Sequence, residues 1–470
     1  MSTPAVVIAA PASGSGKTTV STGLVGALRE AGHVVAPFKV GPDFIDPGYH
    51  SLAAGRPGRN LDPVLVGEEL VGPLYRHGSA GADIAVVEGV MGLFDGRIDD
   101  TGTAPGSTAH VAGLLGAPVV LVVDARGQGQ SLAALLHGFS TFDAATRVAG
   151  VVLNRVGSAR HEQVLRQACE QAGIPVLGAI PRADELSVPS RHLGLVTAVE
   201  HGRAARRAVA AMTALITRHV DLSAIAALAA GNVTSAPWDP AAAAREPLDP
   251  REPLDPRDPR ETAKPRVTVA IAAGKAFSFG YAEHVELLEA AGADVAEFDP
   301  LTEGLPAGAA ALVLPGGFPE QFTAELSGND SVREQIRELA QGGAPVHAEC
   351  AGLTYLVSDL DGHPMCGVLS GSARFTERLS LAYRDAVAVA DSSLYEAGQR
   401  TVGHEFHRTT VTFADSYQPA WVYRGDDAAS LRDGAIHRNV HASYLHTHPA
   451  ARPQAIRRFV QRADTSRLAG

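Results

Sequence analysis

The segment IAAPASGSGKTTVSTGLVGAL, residues 8 to 28, sets Gly14, Gly16, Lys17 and Thr18 in an order suited to gripping a phosphate. The two glycines let the backbone curl so that its N–H groups face an anion. Lys17 would reach the β- and γ-phosphates, and the hydroxyl of Thr18 would ligate Mg²⁺. A helix starting there adds a favourable dipole. Gly14, Ser15, Gly16, Lys17, Thr18 and Thr19 are therefore candidate nucleotide contacts. Pro11 stands where the pattern has its first glycine. The third glycine of a dinucleotide fingerprint is missing, which argues against a Rossmann site.

Acidic groups recur downstream. DIAVVEGVMGLFDG puts Glu88 at the carboxyl end of a buried strand, the edge that faces ligand in parallel sheets. FKVGPDFIDPGYH adds Lys39, Asp43 and Asp46, and GRNLDP adds Asp62. These acids could share one metal–phosphate site, with Thr18, Glu88 and Asp62 as the candidate ligands. Asn154, ending GVVLN, could meet an adenine edge or simply close a strand.

A second chemistry is written in APVHAECAGLTYL, residues 344 to 356. Cys350 falls where a short apolar strand turns into a helix. Such a corner exposes a thiol to the helix's positive end and offers N–H groups to an oxyanion, so a lowered thiol pKa is expected. Gly316 and Gly317 of LPGGFPE could complete the oxyanion site, and VHASYLHTHP supplies His441, His446 and His448 as candidate bases. Cys169 and Cys366 lack this context and read as core residues. His404 and His407 of GHEFHRT have no evident third ligand and read as structural or substrate-lining.

These groups need rigid elements beneath them. Near-continuous apolar runs alternate with amphipathic stretches up to about residue 180, as in a parallel sheet covered on both faces. The pattern restarts at VTVAIAAG, with DAVAVA and TTVTF suggesting some antiparallel strands. Between them, residues 231–266 hold an imperfect REPLDP repeat whose prolines and alternating charges offer no apolar face. The expected organisation is two α/β domains, 1–230 and 267–470, joined by a 231–266 linker. Three irregularly spaced cysteines among 470 residues indicate a reducing compartment, and the N-terminus has no signal-like pattern, so the cytoplasm is expected. A net charge of −11 argues against nucleic acid or an anionic membrane as partner.

APASGSGKTT, VGPDFIDPGYH, NLDP, VVEGVMGLFDG, GSTAHVA, VVLNRVGSARH and PSRHLGLV together resemble the cobyrinic acid a,c-diamide synthase family, whose metal-free branch acts on hydrogenobyrinic acid. AECAGLTYL, GHEFH and ASYLHTH resemble its fused class I glutamine amidotransferase domain. The resemblance implies a P-loop NTPase-type domain, similar to dethiobiotin synthetase, followed by a flavodoxin-like glutaminase domain. It implies ATP with Mg²⁺, L-glutamine and a corrinoid acid, hydrogenobyrinic or cobyrinic, as reactants, and it is compatible with a homodimer. It assigns Cys350 as nucleophile and His446 as its base. Asp43 and Asp95 fall in motifs tied to carboxylate activation, and Asp46 and Tyr49 in motifs that meet the corrin. Many class I glutaminases carry a glutamate two residues after the histidine; here His448 stands there, leaving a dyad or a triad completed elsewhere. Cobyric acid synthase, which amidates other side chains of the ring, is the near alternative. A partitioning-type regulatory ATPase with an inactive amidotransferase module is the distant one. Ala12 stands where such ATPases carry an extra lysine.

Overall fold

Apolar, β-branched runs fold as the strands of the first unit: β1 (Ala5–Ala9), β2 (Val35–Val40), β3 (Arg59–Leu61), β4 (Ile84–Glu88), β5 (Val119–Asp124), β6 (Val148–Val156) and β7 (Val176–Pro181). In the computed structural model, residues 2–98, 104–182, 190–191, 194–195, 197–245, 266–425 and 429–469 are described. The chain divides into two compact units, Met1–Trp238 and Asp239–Gly470. Pro189, His192, Leu193 and Val196 of PSRHLGLV lie outside the described residues.

The first unit is built on a seven-stranded sheet of order β3-β2-β4-β1-β5-β6-β7. All its pairings are parallel. β3 escapes a reading by apolar runs because it is only Arg-Asn-Leu. The helix α1 (Lys17–Glu30) leaves β1, and α2 (Asp46–Ala54) leaves the loop after β2. Parallel register aligns the strands' carboxyl ends: Lys39 and Ile8 both flank Glu88, and Asp124 flanks Asn154. One edge of the sheet thus gathers charged and polar side chains from four strands.

Part of the expected linker is packed structure. Asn232 N donates to Leu115 O at 3.1 Å and Trp238 N to Pro73 O at 2.9 Å. Trp238 is buried, its ring edge-on to His77 at 5.1 Å. In the second unit, Asp239 caps the short helix Pro240–Ala243 through Ala241 N at 2.9 Å. Composition misses this because a single tryptophan supplies the apolar area. The repeat itself, residues 246–265, lies outside the described residues.

The second unit has a six-stranded sheet ordered Ala293–Phe298, Val267–Ala272, Ala309–Leu314, Val346–Glu349, Val440–Ser443, Ala435–His437. Its pairings are parallel except the last. A second sheet is dominated by the antiparallel ribbon of Gly371–Ala388 with Arg400–Phe413, which contains the DAVAVA and TTVTF runs save their last two alanine-valine positions. Behind the central strands Leu312, Leu314, Val346, Ala348 and Tyr355 form one buried cluster.

Trp238→Ala is expected to destabilise the first unit by about 3 kcal/mol, the usual cost of deleting a buried large aromatic ring. Denaturant unfolding followed by circular dichroism reads this as a lowered midpoint; an unchanged midpoint contradicts the packing.

Candidate active sites

The first site is organised by a carboxylate that has no access to water. Glu88 is wholly buried at the end of β4. Its Oε1 accepts from Thr18 Oγ1 at 2.6 Å and from Lys39 Nζ at 3.0 Å, and its Oε2 lies 2.6 Å from His50 Nε2. Lys39 Nζ also lies 2.7 Å from Asp46 Oδ2. Thr18 Oγ1 reaches the same Asp46 oxygen at 3.3 Å. A buried charge persists only when partnered. Burial alone would raise the Glu88 pKa, but Lys39, His50 and Thr18 overrule it and hold the carboxyl ionised far below its usual range. Burial also opposes the Lys39 charge, and Asp46, Glu88 and Asp43 more than reverse that. Asp46 itself is pushed up to about 7 by burial and then by Asp43, against the pull of Lys39.

The phosphate loop is held from the neighbouring strand ends. Asn154 Nδ2 donates to Ser15 O at 2.9 Å, and Arg155 Nη1 donates to Gly14 O at 2.8 Å. Arg155 is in turn paired with Asp124 at 2.5 Å. Asn154, which could meet an adenine edge or simply close a strand, shapes the loop through its Nδ2. Gly16 has φ +100°, and a Cβ there would fall 2.2 Å from Asn154 Nδ2. Lys17 Nζ donates to the carbonyl of Met91, a non-glycine residue at φ 44°. Burial, then the like charge of Lys39, lowers the Lys17 pKa. Thr19 is half-buried on α1.

The oxygens of Thr18, Asp46 and Glu88 fit Mg²⁺, a hard cation usually held by one or two carboxylates together with substrate phosphates. Asp62, expected among these ligands, gives Oδ1 to the amides of Val64 and Leu65 at 2.9 and 3.2 Å and so caps the helix Pro63–Val66. Asp43 receives the amides of Ile45 and Asp46 at 2.7 and 3.0 Å, which fixes the entry to α2. Asp95 is exposed and accepts from Gly92 N at 2.9 Å. Tyr49, expected to meet the substrate, is 0% exposed and packs in the core. Two residues were not singled out from sequence. His50 follows Asp46 by four on α2, a spacing that shares a helix face. Asn60 holds the loop through the carbonyls of Gly41 and Asp43, both at 2.7 Å.

The second site surrounds Cys350, which links the strand Val346–Glu349 to the helix Ala351–Leu356 with φ 50°. Cys350 N donates to Ser443 O at 2.8 Å, and Sγ lies 3.7 Å from Phe406 O. The backbone amides of Ala351 and Gly317 address the sulfur. The expected lowering of the thiol pKa does not occur. Burial first, then Glu320, push it well up, and those two amides only partly oppose the rise. The residue is 4% exposed, so desolvation outweighs a helix of a single short run. The sulfur is thus held as a neutral thiol.

His446 is fully buried on a strand paired to His404. A Cβ on Gly316 would come within 2.3 Å of His446 Cε1, and one on Gly317 within 2.1 Å of Ala276 O. Only glycines let that turn lie between the imidazole and the thiol's neighbours. His448 is a cap, its Nδ1 accepting from Ala450 N at 3.2 Å, and its ring lies 4.3 Å from Tyr281. Burial, then His347, hold both His284 and His441 down at about 3, and burial, then His446, do the same to His404. His407 stacks on Tyr444 at 3.8 Å. Cys169 and Cys366 are buried core residues. Sequence reasoning did not assign a role to Glu349, which meets His347 Nε2 at 3.3 Å. Burial would raise its pKa, but His347 and His446 overrule this and hold it well below the usual range.

The pattern described as a CobQ/CobB/MinD/ParA nucleotide binding domain matches residues 6–196, spanning β1 to β7. The pattern described as a CobB/CobQ-like glutamine amidotransferase domain matches residues 268–454, which include Cys350 and His446. A hydrogenobyrinate a,c-diamide synthase of Mycobacterium bovis is 72% identical over 469 residues, covering 98% of each chain. The chain belongs to the hydrogenobyrinate and cobyrinate a,c-diamide synthase family. A Streptomyces coelicolor hydrogenobyrinate a,c-diamide synthase is 54% identical, covering 98% of each chain. A cobyrinate a,c-diamide synthase of a Synechococcus species is 40% identical, over 97% of this chain and 98% of its own. Membership in this family fits two sites of different chemistry on one polypeptide. Among the described residues, no helix is long and apolar enough to cross a membrane.

Gly16→Ala is expected to weaken ATP binding at least tenfold by isothermal titration calorimetry, because the new Cβ would strike Asn154 and the backbone would leave a left-handed conformation. Unchanged affinity contradicts the role of that contact.

Proposed function

We propose that the protein amidates the a- and c-carboxylates of hydrogenobyrinic acid, using ATP to activate each acid and glutamine to supply nitrogen. The observation that carries this reading is the pairing, in one chain, of the Thr18–Asp46–Glu88 oxygen set beside a phosphate loop with a buried thiol faced by the Gly317 and Ala351 amides. The relatives named for the metal-free acid are 72% and 54% identical, against 40% for one named for the cobalt-bearing acid, which supports the metal-free ring as substrate.

A carboxylate resists attack by ammonia because oxide is a poor leaving group. An oxygen of the substrate carboxylate attacks the γ-phosphorus of ATP, ADP departs, and an acyl phosphate forms. Lys17 and the loop amides neutralise charge during this transfer. Mg²⁺ held by Thr18, Asp46 and Glu88 would supply further neutralisation of the phosphates. Ammonia then displaces phosphate from the acyl carbon.

Nitrogen comes from glutamine. His446 takes the Cys350 proton as sulfur attacks the side-chain amide carbon, and the Gly317 amide faces the oxyanion. The intermediate expels ammonia, with the proton returned by His446, and leaves a glutamyl thioester that water hydrolyses.

Cys350→Ala is expected to abolish amidation from glutamine and to keep amidation from ammonium salts. Loss of both in a folded variant contradicts separate half-reactions. Lys17→Ala is expected to lose both nitrogen routes by at least a hundredfold; ammonium-dependent turnover near the parent rate refutes its role in phosphoryl transfer. Mapping the amidated side chains by mass spectrometry, with metal-free and cobalt-bearing ring acids offered in parallel, tests the substrate assignment.

A further inference from the structure

Glu349 precedes the nucleophile directly, yet its carboxylate turns toward the base. Its Oε1 accepts from Thr447 N at 3.0 Å and from Thr447 Oγ1 at 2.9 Å. His347 Nε2 lies 3.3 Å from the same oxygen. The other oxygen, Oε2, stands 3.7 Å from His446 Nδ1. One oxygen is thus anchored to the residue after the histidine, and the second is left facing the ring. Adjacent residues on a strand normally point to opposite faces, and the left-handed backbone of Cys350 interrupts that alternation. The carboxylate and the thiol can then serve the same imidazole from one strand end.

We infer that Glu349 is the third member of the glutaminase site, a positioning residue that orients the His446 ring and keeps its proton on Nδ1. This rests on the glutamine-dependent reading above. With Nδ1 carrying the proton, Nε2 is the lone pair that receives the thiol proton, and the carboxylate offsets the charge that then develops on the ring. Hydrogen bonds of this kind are often long before substrate binds and tighten in the Michaelis complex. The position two residues after His446, where many class I glutaminases carry the glutamate, is His448, whose Nδ1 is engaged by Ala450 N. The acid therefore arrives from the nucleophile's own strand. Other ionisable groups facing Glu349 are Cys350, His284, His441 and Tyr395.

Glu349→Gln keeps the size of the side chain and an oxygen for Thr447 while removing the charge at His446. It is expected to lower kcat for glutamine hydrolysis at least tenfold while KM for glutamine moves less than twofold. It should slow, also at least tenfold, inactivation by a chloroketone analogue of glutamine, whose chloride the sulfur displaces as the thiol proton passes to His446. Parent-like kcat and inactivation rate overturn the proposal, as does a loss confined to KM. A measurement on the parent protein covers a variant that does not fold. ¹⁵N chemical shifts of His446 should report the Nδ1–H tautomer, and an Nε2–H tautomer overturns the inference. Failure of the underlying reading would show differently, as a Cys350→Ala protein that still consumes glutamine.

Discussion

The first unit depends on a negative charge that the fold has taken out of water. Glu88 ends β4 between β2 and β1, and its oxygens are divided among Thr18, Lys39 and His50. Removing Lys39 would leave an uncompensated charge in the interior, a cost of several kcal/mol. The partners come from α1, β2 and α2, so satisfying one carboxylate fixes three elements at once. The phosphate loop inherits its position from that arrangement, since Thr18 lies on the first turn of α1. The opposite flank is fixed by the Asp124–Arg155–Gly14 chain and by Asn154.

The second unit solves a related problem with less charge. The Cys350 sulfur is kept neutral by burial, and the backbone amides of Ala351 and Gly317 oppose that only in part. Gly316 and Gly317 are required by space, because any side chain there would strike His446 or Ala276 O. The central parallel strands deliver Cys350 and Ser443 side by side through the Val346–Glu349 pairing with Val440–Ser443. His446 follows that second strand after a short turn. Sheet order thus carries Cys350 and the segment leading to His446 to the same pair of strand ends.

Much of this was legible in the residues. The loop glycines with Lys17 and Thr18, the strand-end Glu88 and the Cys350 corner are local patterns, and their places at strand and helix ends follow from spacing. Strands of five or more apolar residues were equally plain, whereas β3, with Arg59 and Asn60 in three positions, was not. What the chain hid depends on burial and on tertiary contact. Tyr49 lies in a motif that reads as substrate-facing, but it is turned into the core. Asp62 reads as one more ligand, yet it caps a helix that only the fold reveals. His50 was hidden because its partner is on a strand 38 residues away. The thiol pKa was misread because a helix dipole is visible in sequence and desolvation is not.

The depth of Cys350 has a consequence for an idle enzyme. Peroxide and small oxidants attack thiolates, and sulfur that is both protonated and shielded reacts slowly with them. Burial of the kind seen at Cys350 therefore works against sulfenic acid formation. Cys169 and Cys366 are likewise buried and free.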